Sequence, residues 1–267
     1  MGCISIISHS RCFKTSISNV AAEDFFYDGK TKLVPEVENF LEKLEQKVGA
    51  PYKKIINKEN LHCLTTNEKG VLAYFLGVQS IRTRGERSSI KGMIQAIENE
   101  IPRENMSNDF KKEIDDMKQD ESLRKVQNSL IKDGAKDFAR MLLDLEWHLF
   151  INATDLPYYT SDYPVAKHNE FNLGPYGDLG LRSRGVQIYF PLNPWMMLSI
   201  IEPSMYPNLP EVSKRADREN IVFQRDLQVQ RSNRFVYSHM NDFDQAERRV
   251  KSTPQVAKPL SDRVSVQ

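Results

Sequence analysis

The stretch LEWHLFINA, residues 145–153, decides the fold. Every odd-numbered residue from Leu145 to Ile151 is apolar, and such strict alternation places successive side chains on opposite faces of a β-strand. The other face of this strand would carry Glu146, His148 and Phe150. The stretch therefore predicts a central strand on which an acid and an imidazole, two residues apart, point the same way.

Further strands are predicted downstream of this one. The runs GVQIYFPL at 185–192 and WMMLSII at 195–201 are rich in β-branched, aromatic and other apolar residues, and Asn193-Pro194 between them is typical of a turn. A third, shorter run, FVY at 235–237, has the same character. We therefore expect a mixed or antiparallel sheet built mainly from the carboxy-terminal half of the chain.

The segment YTSDYPV, residues 159–165, places a small polar cluster in front of a proline. The residue before the proline, Tyr163, is driven towards extended geometry, so Asp162 next to it is expected at a strand end or in a tight turn. Asp and Ser side chains often close such turns by bonding to the backbone. The other interpretation is that Asp162 faces a pocket together with Glu146 and His148, as site residues on loops often do.

The amino-terminal half has helical periodicity. One buried stripe at three- and four-residue spacing predicts a helix that ends near Gly49, and a second short helix is predicted after Pro51. Thr65 is expected to cap a helix that runs to Ile81, and another helix is predicted over about residues 122–143. The stripe of the first helix comprises Val37, Phe40, Leu41, Leu44 and Val48.

These patterns predict an α+β protein in one domain, residues 1–267. The helical part is expected at about 19–144, the sheet-containing part at about 145–250 and a loose tail at about 251–267. Between the predicted helices lies a charged, weakly periodic segment in which Met93, Ile97 and Ile101 are expected to face inward.

Composition limits the classes of function. The 37 Lys and Arg nearly balance the 36 Asp and Glu, so the net charge of +1 does not support nucleic acid as a partner, although a local patch stays open. Three scattered cysteines fit neither a disulfide framework nor paired zinc ligands. No apolar run approaches the about 20 residues that span a bilayer, and we expect a cytoplasmic protein.

Several segments together resemble a known family. Residues 159–165, 185–192 and 234–238, with VAAEDFFYD at 20–28 and QSIRT at 79–83, are similar to the prokaryotic family called domain of unknown function 4238. The resemblance spans about residues 17–238. Members usually begin with a His-x-Val-Pro segment, which residues 1–18 lack, so it carries over no role for that histidine. The family name implies no activity.

The first functional hypothesis is a hydrolase, with phosphodiesters or nucleic acid as the substrate class. Asp162 and Glu146 would bind a divalent metal such as Mg2+ or serve as acid and base, because paired hard carboxylates suit that ion. His148 or His168 would assist proton transfer. Arg82 would stabilise charge, unless it belongs to a solvated basic face of its helix.

The second hypothesis is a noncatalytic binding or regulatory protein in which the Ser161-Asp162 turn is structural. Ser161, Gln79 and His168 are candidate binding residues, and Arg184, which follows a glycine-bearing loop, could meet an anion. That loop lacks the Gly-Lys-Ser/Thr ending of a P-loop and the Gly-x-Gly-x-x-Gly pattern. Nucleotide binding by those two routes is therefore excluded.

Overall fold

The structure is a computed structural model. It describes residues 2–5, 12–14, 36–101, 103–171, 180–204, 206, 209, 212–258 and 263. The predicted start of the helical part, residues 19–35, lies outside the described residues. So do the family-like segment at 20–28, residues 172–179 of the glycine-bearing loop predicted at 172–180, and most of the predicted tail after residue 258.

Helices dominate the first half of the chain, as predicted. Two more helices follow in the second half, and a π-helical turn at Leu130–Gly134 joins two of the earlier ones. The helices are α1 Glu36–Lys58, α2 Thr66–Ile81, α3 Arg84–Glu100, α4 Asn108–Met117, α5 Asp120–Ser129, α6 Ala135–Leu143, α7 Arg218–Arg231 and α8 Asp244–Ser252. Short 3-10 turns lie at Arg103–Asn105 and Pro254–Ala257.

Helix α1 corrects one prediction. Instead of ending near Gly49 and restarting after Pro51, it continues through the proline as a single helix of 23 residues. A proline inside a helix removes one hydrogen bond. Val48 and Ile55, on either side of it, both pack into the same buried cluster. Their shared burial keeps one helical axis across the proline.

The start of α2 confirms the predicted cap. The Thr65 hydroxyl accepts a hydrogen bond from the backbone N–H of Glu68 over 3.3 Å, and the Glu68 carboxylate accepts one from the backbone N–H of Thr65 over 2.9 Å. This reciprocal arrangement is a capping box, which satisfies N–H groups that have no partner within the helix.

Helix α3 corrects a second prediction. Met93, Ile97 and Ile101 are exposed, at 59%, 53% and 37%, rather than inward-facing. The buried residues of α3 are instead Gly85 and Gly92. The predicted apolar stripe therefore lies on the exposed side of α3 and at the residue that follows it, Ile101.

The described strands form two sheets. The five-stranded sheet has the order β5-β6-β7-β3-β8, with antiparallel neighbours except for the parallel pair β3 and β8. The four-stranded sheet is antiparallel, with the order β2-β1-β9-β4. The strands are β1 Gly2–Ser5, β2 Cys12–Lys14, β3 Glu146–Asn152, β4 Thr160–Ser161, β5 Ala166–Asn169, β6 Val186–Asn193, β7 Met196–Ile201, β8 Val212–Ala216 and β9 Phe235–Ser238.

The five-stranded sheet is covered on both faces. Trp147 and Leu149 of β3 lie in one buried cluster with Leu72 and Leu76 of α2. Phe150, on the opposite face, packs against a cluster that includes Ile221 and Leu227 of α7. The alternation predicted for residues 145–151 is therefore confirmed, and the α+β class with it. No described helix is both long enough and apolar enough to cross a bilayer.

Candidate functional site

Asp162 directly follows β4 and closes a turn against the start of β9. Its Oδ1 accepts a hydrogen bond from the backbone N–H of Asn233 over 2.9 Å, and its Oδ2 accepts one from that of Arg234 over 2.8 Å. The backbone N–H of Asp162 itself donates to the carbonyl of Phe235 over 3.1 Å. The side chain thus connects two segments that are distant in sequence.

Ser161 fixes the same turn to helix α7. Its hydroxyl donates to the side-chain oxygen of Gln228 over 2.9 Å and accepts from the backbone N–H of Tyr163 over 3.2 Å. The amide nitrogen of Gln228 then donates to the carbonyl of Pro164 over 3.0 Å. Because Ser161 and Gln228 are both buried, these bonds form in a low-dielectric environment and hold the turn in one conformation.

Opposing effects act on the pKa of the Asp162 carboxyl. Burial raises the pKa of this carboxyl above its ordinary value. The backbone hydrogen bonds and the guanidinium of Arg234 oppose that rise, since they stabilise the ionised form. The surroundings of the Asp162 carboxyl therefore suit an acceptor of backbone hydrogen bonds.

Glu146 and His148 share a face of β3, as predicted, and lie in the other sheet. The Oε2 of Glu146 is 3.6 Å from the Nε2 of His148. His148 is only 4% exposed, and Ser199 of β7 is its direct cross-strand partner. The structure thus brings these two residues together in the five-stranded sheet, whereas Asp162 follows a strand of the four-stranded sheet.

Arg82 and Gln79 lie at the end of α2. The Nη1 of Arg82 is 2.7 Å from a carboxylate oxygen of Glu45 on α1, and its Nε donates to the side-chain oxygen of Gln79 over 3.0 Å. These contacts join the first two helices to each other.

His168 and Arg184 both make aromatic contacts. The ring of His168 meets that of Phe223 edge-on, with 4.9 Å between centroids. The guanidinium of Arg184, an exposed residue, lies 5.6 Å from the ring centre of Phe171. These contacts place His168 against α7, whose residues include Phe223.

Four half-buried polar residues meet at the edge strand β5, and we call them the Lys167 cluster: Glu86, Tyr163, Lys167 and Arg231. The phenol of Tyr163 donates to a carboxylate oxygen of Glu86 over 2.8 Å. The Nε of Arg231 donates to the carbonyl of Lys167 over 3.1 Å. The ammonium of Lys167 lies 5.5 Å from the ring centre of Phe138 on α6. Two helices, one loop and one strand therefore supply this cluster, and a third helix contacts it through Phe138.

Burial and neighbouring charges shift the pKa values of Lys167 and Tyr163 in this cluster. Burial lowers the pKa of Lys167; the carboxylate of Glu86 opposes this shift, and the cation of Arg231 adds to it. Burial also raises the pKa of Tyr163 well above its ordinary value, and the neighbouring Glu86 carboxylate raises it further. Tyr163 therefore remains a hydrogen-bond donor throughout the neutral range.

A family model confirms the resemblance drawn from the sequence. The model described as protein of unknown function DUF4238 matches residues 3–242. The chain belongs to the DUF4238 family. No curated protein and no solved structure matches it. The matched part of this DUF4238 protein includes both the Ser161-Asp162 turn and the Lys167 cluster.

Sequence reasoning missed Lys167, Tyr163, Glu86 and Arg231 in this DUF4238 chain. The available signal was position: Tyr163 lies inside the Ser-Asp-x-Pro segment, and Glu86 follows the QSIRT segment at 79–83. Nothing in local periodicity links them, because 77 residues separate Tyr163 from Glu86.

A divalent metal such as Mg2+ needs several hard ligands in one place. Within the part of the chain that the structure describes, no three His, Cys, Asp or Glu side chains group in a way that could hold a metal ion. Asp162 and Glu146 follow or belong to strands of different sheets. The described donor set therefore supplies no candidate metal centre.

Proposed function

We propose that this DUF4238 protein is a noncatalytic binding protein in which the Ser161-Asp162 turn is structural. One observation carries the proposal: both carboxylate oxygens of Asp162 accept backbone hydrogen bonds, from Asn233 and Arg234. A carboxylate held in this way stabilises the turn, because loss of either bond would leave a backbone N–H without an acceptor, and Asn233 is a buried residue. A general base or metal ligand instead needs lone pairs directed at substrate, water or ion.

The arrangement of the other candidates supports the same proposal. A hydrolase centred on Asp162 would need Glu146 and a histidine in the same open cleft. Glu146 and His148 belong to the five-stranded sheet, and His148 is 4% exposed. Arg82, the proposed charge stabiliser, forms an ion pair with Glu45. His148 is thus packed inside the sheet, and Arg82 joins α1 to α2.

An activity screen tests the proposal. The parent, Asp162→Ala and Asp162→Asn would be incubated with RNA, DNA and bis(p-nitrophenyl) phosphate, each with Mg2+ and with Mn2+. We expect no hydrolysis by any of the three proteins. Metal-dependent hydrolysis by the parent that is lost in Asp162→Asn, with circular dichroism unchanged, would overturn the proposal.

Measurements of unfolding free energy test the structural role of Asp162. Asp162→Ala is expected to lower the free energy of unfolding by about 2–4 kcal/mol, because two backbone N–H groups lose their acceptor. Asp155→Ala is the matched control, since the carboxylate of Asp155 is exposed and pairs with exposed Arg218 over 2.9 Å. That control should cost less than about 1 kcal/mol. Equal losses in the two variants would contradict the structural role of Asp162.

A further inference from the structure

We propose that the groove between α7 and α8 binds a small organic acid with one carboxylate, held by the guanidinium groups of Arg248 and Arg249. The inference rests on the proposed binding function and names a ligand class for it. The α7–α8 groove encloses about 300 Å³, a volume at the lower end of the range of small-molecule sites. The groove is lined by Val222, Asp226, Gln245, Arg248, Arg249 and Ser252.

The spacing of residues on the two helices builds the groove. On α8 the lining residues stand at positions 245, 248, 249 and 252, and this spacing places them on one face of the helix. On α7 they stand at 222 and 226, four residues apart. The amide nitrogen of Gln245 donates to the carbonyl of Val222 over 2.7 Å and to the Oδ1 of Asp226 over 2.8 Å. The buried Gln245 thus fixes the two walls of the groove to each other.

The first argument is that no described residue neutralises the two guanidinium groups. Among the described side chains, none forms an ion pair or a hydrogen bond with the guanidinium of Arg248 or Arg249. The Nε of Arg249 is buried and has no acceptor there. A buried donor without an acceptor is costly, and a carboxylate oxygen of a ligand in the groove would offset that cost.

The second argument is the charge of the lining. Arg248 and Arg249 supply two positive charges and Asp226 one negative charge, which leaves one positive charge for a ligand to balance. A carboxylate has that charge, whereas a phosphoryl group carries about −1.5 to −2 charges at neutral pH and would be repelled more strongly by Asp226. A guanidinium also presents two parallel donors that match the two oxygens of a carboxylate.

The groove is accessible to a small molecule. Arg248 and Ser252 are exposed, so solvent reaches the groove along this edge of α8. Val222, which is also exposed, offers an apolar surface to the carbon skeleton of an acid. Helix α7 lies inside the residues that the family model matches, 3–242, and α8 follows them. The groove is therefore assigned to this chain and not to the DUF4238 family as a whole.

NMR titration of the isotope-labelled full chain tests the inference. The probes are benzoate, its uncharged analogue benzamide, and phenyl phosphate, each titrated at pH 7 and constant ionic strength. The signal followed is the Nε–H group of Arg249, which has no acceptor among the described residues. We expect benzoate to shift this signal saturably. Phenyl phosphate should bind more weakly than benzoate, and benzamide should not shift the signal.

Variants of the lining should change the affinity in opposite directions. Arg248→Gln and Arg249→Gln should each weaken benzoate binding about tenfold or more, because each removes a charge-assisted hydrogen bond. Asp226→Asn should strengthen it severalfold, because it removes a negative charge and keeps an oxygen that can accept from Gln245. Arg140→Gln, which removes an exposed guanidinium of α6, is the matched control and should bind as the parent does. Circular dichroism checks that each variant is folded.

Three results would overturn the inference: no saturable binding of benzoate by the parent, equal affinities for the parent and Arg249→Gln, or binding of benzamide or phenyl phosphate as tight as that of benzoate. The two proposals fail separately. Asp162-dependent hydrolysis overturns the noncatalytic proposal, whereas absent benzoate binding without hydrolysis overturns only the carboxylate site.

Discussion

The phenol of Tyr163 donates a hydrogen bond to the carboxylate of Glu86 over 2.8 Å, across 77 residues of sequence. Glu86 lies in the first turn of α3, where its own backbone N–H bonds to the Thr83 hydroxyl over 3.1 Å. Tyr163 is the residue after Asp162. This bond therefore fixes the start of α3, in the helical half, against the turn that joins β4 to β5 in the sheet-containing half.

Removal of the phenol should weaken the association of these halves. Tyr163→Phe is expected to lower the free energy of unfolding by about 1–3 kcal/mol, because the half-buried Glu86 carboxylate loses a donor. Urea denaturation of Tyr163→Phe, Glu86→Ala and the double variant forms a double-mutant cycle. We expect a coupling energy above about 0.5 kcal/mol. Strictly additive effects would mean that the two side chains do not interact in solution.

Lys167→Met should be more stable than the parent at pH 7, since it removes a half-buried ammonium that is unpaired among the described residues. The folded-state pKa of Lys167 lies below its ordinary value of 10.5, so the unfolded chain binds more protons between these two values. The stability of the parent relative to Lys167→Met should therefore rise with pH in that window. Urea denaturation at a series of alkaline pH values measures the difference.

Lys251→Met is the control, because Lys251 is exposed at the end of α8. Its stability relative to the parent should stay constant over the same pH range. A parent that loses stability relative to Lys167→Met as pH rises would contradict the assigned direction of the pKa shift.

The elements predicted correctly are those that a pattern among neighbouring residues specifies. Alternation over residues 145–151 gave β3 and the correct partition of its side chains between two faces, because one face packs on α2 and the other on α7. Thr65 with Glu68 gave the start of α2, since a capping box is formed within four residues. These features depend only on neighbours in sequence.

Contacts between distant segments could not be read from the same patterns. Pro51 indicated a break in α1, yet burial of Val48 and Ile55 in one cluster keeps the helix continuous. The pairing of Glu86 with Tyr163 and the approach of Arg231 to Lys167 join segments 64 residues or more apart. Such pairs depend on how the helices pack on the sheet edge, and local sequence patterns do not reveal that packing.

The ion pair between Lys54 and Glu68, at the capping box of α2, should be detectable by titration. The Lys54 ammonium, followed by the backbone N–H of Thr65, lowers the pKa of Glu68 to about 2. Because the folded-state pKa lies below the ordinary 4.5, the stability that Glu68 contributes is fully present above pH 4.5 and is lost as pH falls towards about 2.

Carboxyl NMR titration checks this value directly. Lys54→Met should return the pKa of Glu68 towards 4.5, whereas Lys58→Met, at the exposed end of α1, should leave it unchanged. A Glu68 that titrates near 4.5 in the parent would show that the ion pair with Lys54 is not formed in solution.

Two glycines of α2 provide a test of how closely α2 and α6 pack. A Cβ added at Gly77 would lie 2.8 Å from the carbonyl oxygen of Ala135, whereas one added at Gly70 would meet nothing within 4 Å. Gly77→Ala is therefore expected to lower the free energy of unfolding by about 1–3 kcal/mol through overpacking. Gly70→Ala should raise it by roughly 0.5–1 kcal/mol, because alanine favours the helix. Thermal and urea denaturation of both variants measure the contrast; stabilisation by both would mean that α2 and α6 lie farther apart than described.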